Sequence, residues 1–117
     1  MKLLIVDDEA DIRDALAEFF EDKGYEVAVA ANGADAWDLL VGEALPHVVV
    51  LDLTMPVLDG VALYGRMRAD PRLGSVRVII ATSDPARAPS GVPTLTKPID
   101  LDRLAALVVR EASLAGA

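Results

Sequence analysis

The apolar run Leu3 to Val6 stops abruptly at three consecutive acids, Asp7, Asp8 and Glu9. A single carboxylate at the end of such a run would serve as a helix cap. Three put more negative charge together than capping uses, and they invite a cation. Further along, other polar side chains follow apolar runs in the same way. Asp52 ends "VVVL" and opens "DLTMPVLDG", Thr82 stands in "VIIATSD", and Lys97 in "LTKP". Carboxylates, a hydroxyl and an ammonium are the parts for handling a phosphoryl group beside a hard cation. Mg²⁺ takes oxygen ligands, keeps several waters and needs only one or two carboxylates plus a phosphate oxygen. Asp52, the central member, is the expected nucleophile. Thr82 and Lys97 are expected to hold phosphoryl oxygens as charge redistributes during transfer.

Such a set works only if the chain brings its members together, and the apolar periodicity says how. Leu3 to Val6 reads as a buried strand, and Ile12, Ala15, Leu16, Phe19 and Phe20 form one stripe of a helix. Lys23-Gly24 ends that helix. Tyr25 to Ala30 reads as a second strand, and Asn32 caps a second helix with Ala36, Trp37 and Leu40 inward. After Pro46, His47 to Leu51 reads as a third strand, Asp59 to Arg68 as a third helix, Val76 to Ala81 as a fourth strand, with a short fifth around Leu95. Asp100 caps a last helix with Leu101, Leu104, Leu107 and Val108 inward, and Ile99 and Leu104 suit a hydrophobic staple.

Strand–helix alternation with continuously apolar strands predicts an α/β fold, a doubly wound five-stranded parallel sheet in flavodoxin-like order 2-1-3-4-5. In such sheets the site lies beyond the carboxyl ends of the strands. Asp7, Asp8, Asp52, Thr82 and Lys97 all fall there. Taken singly each has a plainer explanation: "DDE" as a cap, "MPVLDG" as a Pro/Gly turn, Lys97 as surface. Their common placement at strand ends is what makes them a site. His47 reads as a solvated or core-edge side chain at a strand entrance rather than a phosphohistidine, and Trp37 as packing.

Composition narrows the classes. With 117 residues, 53% hydrophobic and 26% charged, the chain suits one globular domain over residues 1–117. No apolar run approaches the roughly 20 residues of a membrane span, and the N-terminus is too short and acidic for a secretory signal. There is no Cys, which excludes disulfides and thiolate metal sites. A cytoplasmic location is the expectation. A net charge of −8 opposes direct nucleic-acid binding.

The four stretches "IVDDE", "LDLTMPVLDG", "ATS" and "TKP" resemble, in order and spacing, the receiver domain of two-component response regulators. The resemblance covers nearly the whole chain. It implies that Asp52 accepts a phosphoryl group from a phosphohistidine on a histidine kinase or histidine phosphotransfer domain, and that the domain is a signalling module, catalysing only its own phosphorylation and dephosphorylation. It further implies that Asp8, Asp52 and the backbone carbonyl of Thr54 bind Mg²⁺ directly, with Asp7 acting through a water. Thr82 and Lys97 would contact the phosphoryl group, Pro56 and Gly60 would shape the loop after Asp52, and Thr54 and Asp84 would occupy positions that tune the lifetime of the phosphorylated state. A homodimer is left open.

The chain departs from the family pattern between Thr82 and Lys97. The segment is several residues short and contains Pro85, Pro89, Gly91 and Pro93. Proline inside a helix costs roughly 3 kcal/mol, and no apolar stripe is present. The helix between the fourth and fifth strands is therefore expected to be missing or reduced to a turn, leaving a mobile loop. Thr94 stands where the family often carries a switching Tyr or Phe. Two other function classes compete: a Mg²⁺-dependent aspartyl-phosphate phosphatase, which needs a second acid where Thr54 stands, and a degenerate receiver that only binds protein, which intact site positions do not support. A flavin-binding module is opposed by the acids after the first strand, which would repel a phosphate.

Overall fold

The computed structural model describes residues 1–42 and 44–115. Five strands, β1 (Lys2–Val6), β2 (Glu26–Ala30), β3 (Val48–Leu51), β4 (Arg77–Thr82) and β5 (Thr94–Thr96), form one parallel sheet in the order β2-β1-β3-β4-β5. The helices are α1 (Ala10–Asp22), α2 (Gly33–Leu40), α3 (Gly60–Ala69) and α4 (Leu101–Ala115).

Alternate residues of the central strands feed two cores. Leu4, Val6, Val49, Leu51 and Ile80 face α2 and α3, where they meet Leu40, Leu63 and Met67. Leu3, Ile5, Val50, Ile79 and Leu95 face α1 and α4, where they meet Phe20, Leu104 and Val108. Burial on both faces is why these strands read as unbroken apolar runs. The caps are those that the sequence suggests. Asn32 accepts from the Asp35 N–H at 2.8 Å, and Asp100 from those of Asp102 and Arg103 at 3.0 and 3.2 Å. Glu9, at the start of α1, makes no side-chain capping bond, so capping does not account for the acids after β1.

Two apolar faces are narrower than their periodicity implies. On α1, Leu16 and Phe20 are buried, but Ile12 and Phe19 are only partly so and Ala15 is exposed. Leu101, at the start of α4, is exposed as well. Each helix rests on one sheet face, and its flank is left at the edge. There Ile12, Ala15, Leu16, Pro98, Ile99 and Leu101 line an open groove beside Lys97.

Between β4 and β5 there is no α-helix. One 3-10 turn, Pro85–Arg87, is all that remains, as its prolines dictate; the fourth α-helix in chain order is the C-terminal one. The sheet is nonetheless covered. Ala88 and Val92 of the crossover pack with Tyr64 against the core that holds Val78 and Ile80. Beyond them β5 presents threonines, because Thr94 pairs with Ile80 and Thr96 with Thr82 and so share their face. The crossover thus covers this part of the core where a helix is lacking.

Register brings the site together. Val6 pairs with Leu51, and Leu51 with Ile80, while β4 runs on two residues to Thr82, so the carboxyl ends of the three central strands meet at one edge of the sheet. The ladder continues one step further: the Asp52 N–H donates to the Val6 carbonyl at 3.0 Å and the Lys97 N–H to that of Thr82 at 2.9 Å.

Candidate functional site

Asp7, Asp52 and Thr82 are 2%, 5% and 0% exposed, while Asp8 opens to solvent. Buried carboxylates are costly without compensation, and Lys97 supplies it. Its Nζ lies 2.9 Å from Asp7 Oδ2, 3.4 Å from Glu9 Oε1 and 3.5 Å from Asp52 Oδ2. Burial works to lower the Lys97 pKa, but the hydrogen bond and charge of Asp7, with the charges of Asp52 and Glu9, outweigh it and raise it. The lysine therefore stays an ammonium. Asp52 is pushed above the usual carboxylate value, chiefly by burial and further by the charge of Asp7, although Lys97 and the Thr54 N–H pull it back.

One carboxylate oxygen from each of Asp7, Asp8 and Asp52 lies within 4.8 Å of the others. All three are hard oxygen donors, and one of the residues is open to water. The set fits a small divalent cation that keeps part of its water shell. Thr82 Oγ1 accepts from the Asp84 N–H at 3.1 Å. That bond uses the hydroxyl as an acceptor and does not engage its one proton.

The loop after Asp52 is tightly folded. The Gly60 N–H donates to the Leu53 carbonyl at 2.8 Å, and a Cβ at Gly60 would collide with the Asp52 carbonyl oxygen. Glycine is needed here for close approach. A Cβ at Gly33 would likewise collide with the Leu58 carbonyl, to which the Gly33 N–H donates at 2.9 Å. The Leu58 N–H reaches back to the Pro56 carbonyl at 2.8 Å, closing a three-residue turn with Val57 at φ 68°. That conformation is strained for a β-branched residue, and nothing in the sequence announces it. Thr54 is exposed, and its N–H points at Asp52 Oδ1 from 3.4 Å, a long bond.

Every residue singled out from the sequence for this site lies at this edge of the sheet. Glu9, the third acid of the opening run, joins Asp7 and Asp52 on Lys97. Two contacts carried no sequence signal. Arg13 Nη1 donates to the Asp7 carbonyl at 3.0 Å and steadies the β1–α1 turn. Arg87, in a segment without periodicity, donates to Thr54 Oγ1 and Asp59 Oδ2.

A five-stranded parallel sheet in this order, with carboxylates, a threonine and a lysine gathered at its carboxyl edge, defines a receiver-type signalling domain. The chain belongs to the response regulator receiver domain family, whose model matches residues 3–109. It is 37% identical over 116 residues to the response regulator Rre1 of Synechocystis sp., covering 92% of this chain and 50% of that protein. It is also 37% identical over 110 residues to the sporulation initiation phosphotransferase F of Bacillus subtilis, covering 88% of this chain and 86% of that one. The chain thus spans half the length of the first relative and most of the second. Among solved structures it resembles the signal receiver domain of a signal transduction histidine kinase from Syntrophus aciditrophicus, with a TM-score of 0.87, 30% identity and coverage of 96% and 89% of the two chains.

Proposed function

We propose that this domain is the phosphoacceptor of a two-component relay and that Asp52 takes a phosphoryl group from a phosphohistidine on a histidine kinase or histidine phosphotransfer domain. One observation carries the reading. A buried carboxylate at a strand end clusters with two further acids, one oxygen of each within 4.8 Å of the others, and has an ammonium 3.5 Å away. Mg²⁺ fits the acids; Asp8, Asp52 and the Thr54 carbonyl would hold it, with Asp7 reaching it through water, and it would supply charge neutralisation to the phosphoryl oxygens. An Asp52 oxygen bonds to phosphorus as the phosphorus–nitrogen bond of the donor breaks, and the imidazole leaves with its electron pair. Lys97 and the free proton of the Thr82 hydroxyl meet the transferred oxygens. No separate substrate is turned over. Thr54, where a phosphatase of the aspartyl-phosphate type would need an acid, has its hydroxyl engaged by Arg87 instead.

The partner's helix is proposed to lie in the apolar groove between α1 and the β5–α4 connection, which opens beside Lys97. This reading sets the domain in the cytoplasm without direct contact to nucleic acid. Among the described residues no helix is long and apolar enough to cross a membrane. The test is incubation with acetyl phosphate and Mg²⁺ followed by intact-mass measurement. One added phosphoryl group, dependent on Mg²⁺ and absent in Asp52→Ala, is expected. Persistent labelling of Asp52→Ala would overturn the assignment.

A further inference from the structure

The β4–β5 crossover has no helix to hold it, yet it is fastened across the site by one side chain. Arg87 Nη1 donates to Thr54 Oγ1 at 3.1 Å, and Nη2 to Asp59 Oδ2 at 3.3 Å. Asp59 is itself fixed, since its other oxygen caps α3 by accepting from the Ala62 N–H at 2.9 Å. Thr54 leads back to the acceptor through its N–H, 3.4 Å from Asp52 Oδ1. One guanidinium thus bridges two points on the loop that leaves Asp52. Stability does not explain the bridge: the side chains of Arg87 and Asp59 are 39% and 40% exposed, and exposed ion pairs contribute little. The planar fork of arginine does suit it, because it engages two acceptors at once where lysine engages one.

Resting on the phosphoacceptor reading, we propose that Arg87 is a positioning residue that sets the lifetime of the aspartyl phosphate, as a strap across the Asp52 loop. In hydrolysis a water oxygen bonds to phosphorus, the phosphorus–oxygen bond to Asp52 breaks, the carboxylate is restored, and the water's protons leave with inorganic phosphate or to solvent. Thr54 stands two residues beyond the reacting carboxylate. With its hydroxyl held by Arg87 it has less to offer the incoming water, and the crossover stays drawn over the loop.

The experiment labels the whole domain with acetyl phosphate and Mg²⁺, removes the donor, and follows the decay by intact mass beside the melting temperature. Arg87→Ala is expected to shorten the lifetime about threefold to tenfold, the rate equivalent of a lost hydrogen bond. Arg87→Lys should fall between it and the wild type. Asp59→Asn keeps the α3 cap, since Asn caps as well as Asp, but removes the ion pair, and should shorten the lifetime in the same direction. A merely structural role would lower melting temperatures without ranking the lifetimes in this order. Labelled wild type and Arg87→Ala with equal lifetimes, or a longer one in the variant, overturn the strap alone. A wild type that takes no label overturns the phosphoacceptor reading, and the strap with it.

Discussion

Lys97 is bonded to Asp7 more closely than to Asp52: its Nζ lies 2.9 Å from the Asp7 carboxylate and 3.5 Å from the residue proposed to accept phosphate. In this state the lysine acts as the counter-charge of an acidic pocket. On the proposed reading a transferred phosphoryl group would compete with Asp7 for the same ammonium.

That role makes Lys97→Ala costly before any chemistry occurs. The Lys97 side chain is 12% exposed, and those of Asp7 and Asp52 are 3% and 6% exposed, so truncation leaves buried carboxylates without their cation. Breaking such a pair costs about 3 kcal/mol, less whatever protonation relieves. Urea unfolding in EDTA should show this loss, and Mg²⁺ should recover part of it. Equal midpoints for variant and wild type in EDTA would contradict the assigned role.

Asp52→Asn should do the opposite in the metal-free protein. The carboxyl of Asp52 is raised by burial and by Asp7. A raised group contributes stability that is fully present below its unfolded value of about 3.9 and lost as pH rises through its folded value. Metal-free wild type should therefore gain stability relative to Asp52→Asn as pH falls from neutral through that window. At pH 7 the variant should therefore be the more stable of the two. A lower melting temperature for Asp52→Asn in EDTA at neutral pH would rule this out.

The groove gives a prediction that separates docking from chemistry. Ile12 lines it without belonging to the acid pocket. Ile12→Asp should slow labelling by a phosphorylated histidine phosphotransfer domain about tenfold or more, the effect of losing one apolar anchor. Labelling by acetyl phosphate, which needs no docking face, should be unchanged. Equal loss with both donors would place the defect in the site instead.

Much of this was legible along the chain. The strands β1, β3 and β4 are apolar runs because both faces of the sheet are covered, and the polar residues that end or follow them meet because parallel strands point their carboxyl ends to one edge. Pro85, Pro89 and Pro93 forbid a helix through local backbone chemistry alone, and the crossover has only its 3-10 turn. Asn32 and Asp100 announce the helices they cap. The exposed Ala15 and Leu101 were less readable: periodicity reports a helix face, but the width of the face that is buried depends on the neighbour it meets.

By itself, then, the sequence determined the elements, the fold class, the absence of a helix in the crossover and the chemical parts at the strand ends, since each depends on neighbours a few residues away. Only the tertiary structure decided how those parts are paired. That Lys97 prefers Asp7, 90 positions away, to Asp52, and that Arg87 crosses 33 positions to Thr54 and 28 to Asp59, follows from strand order, register and the path of two loops. The same holds for Gly60, whose need for a bare Cα comes from the Asp52 carbonyl folded against it. Pairings between distant segments are set by where the sheet puts them, and no local pattern carries that distance.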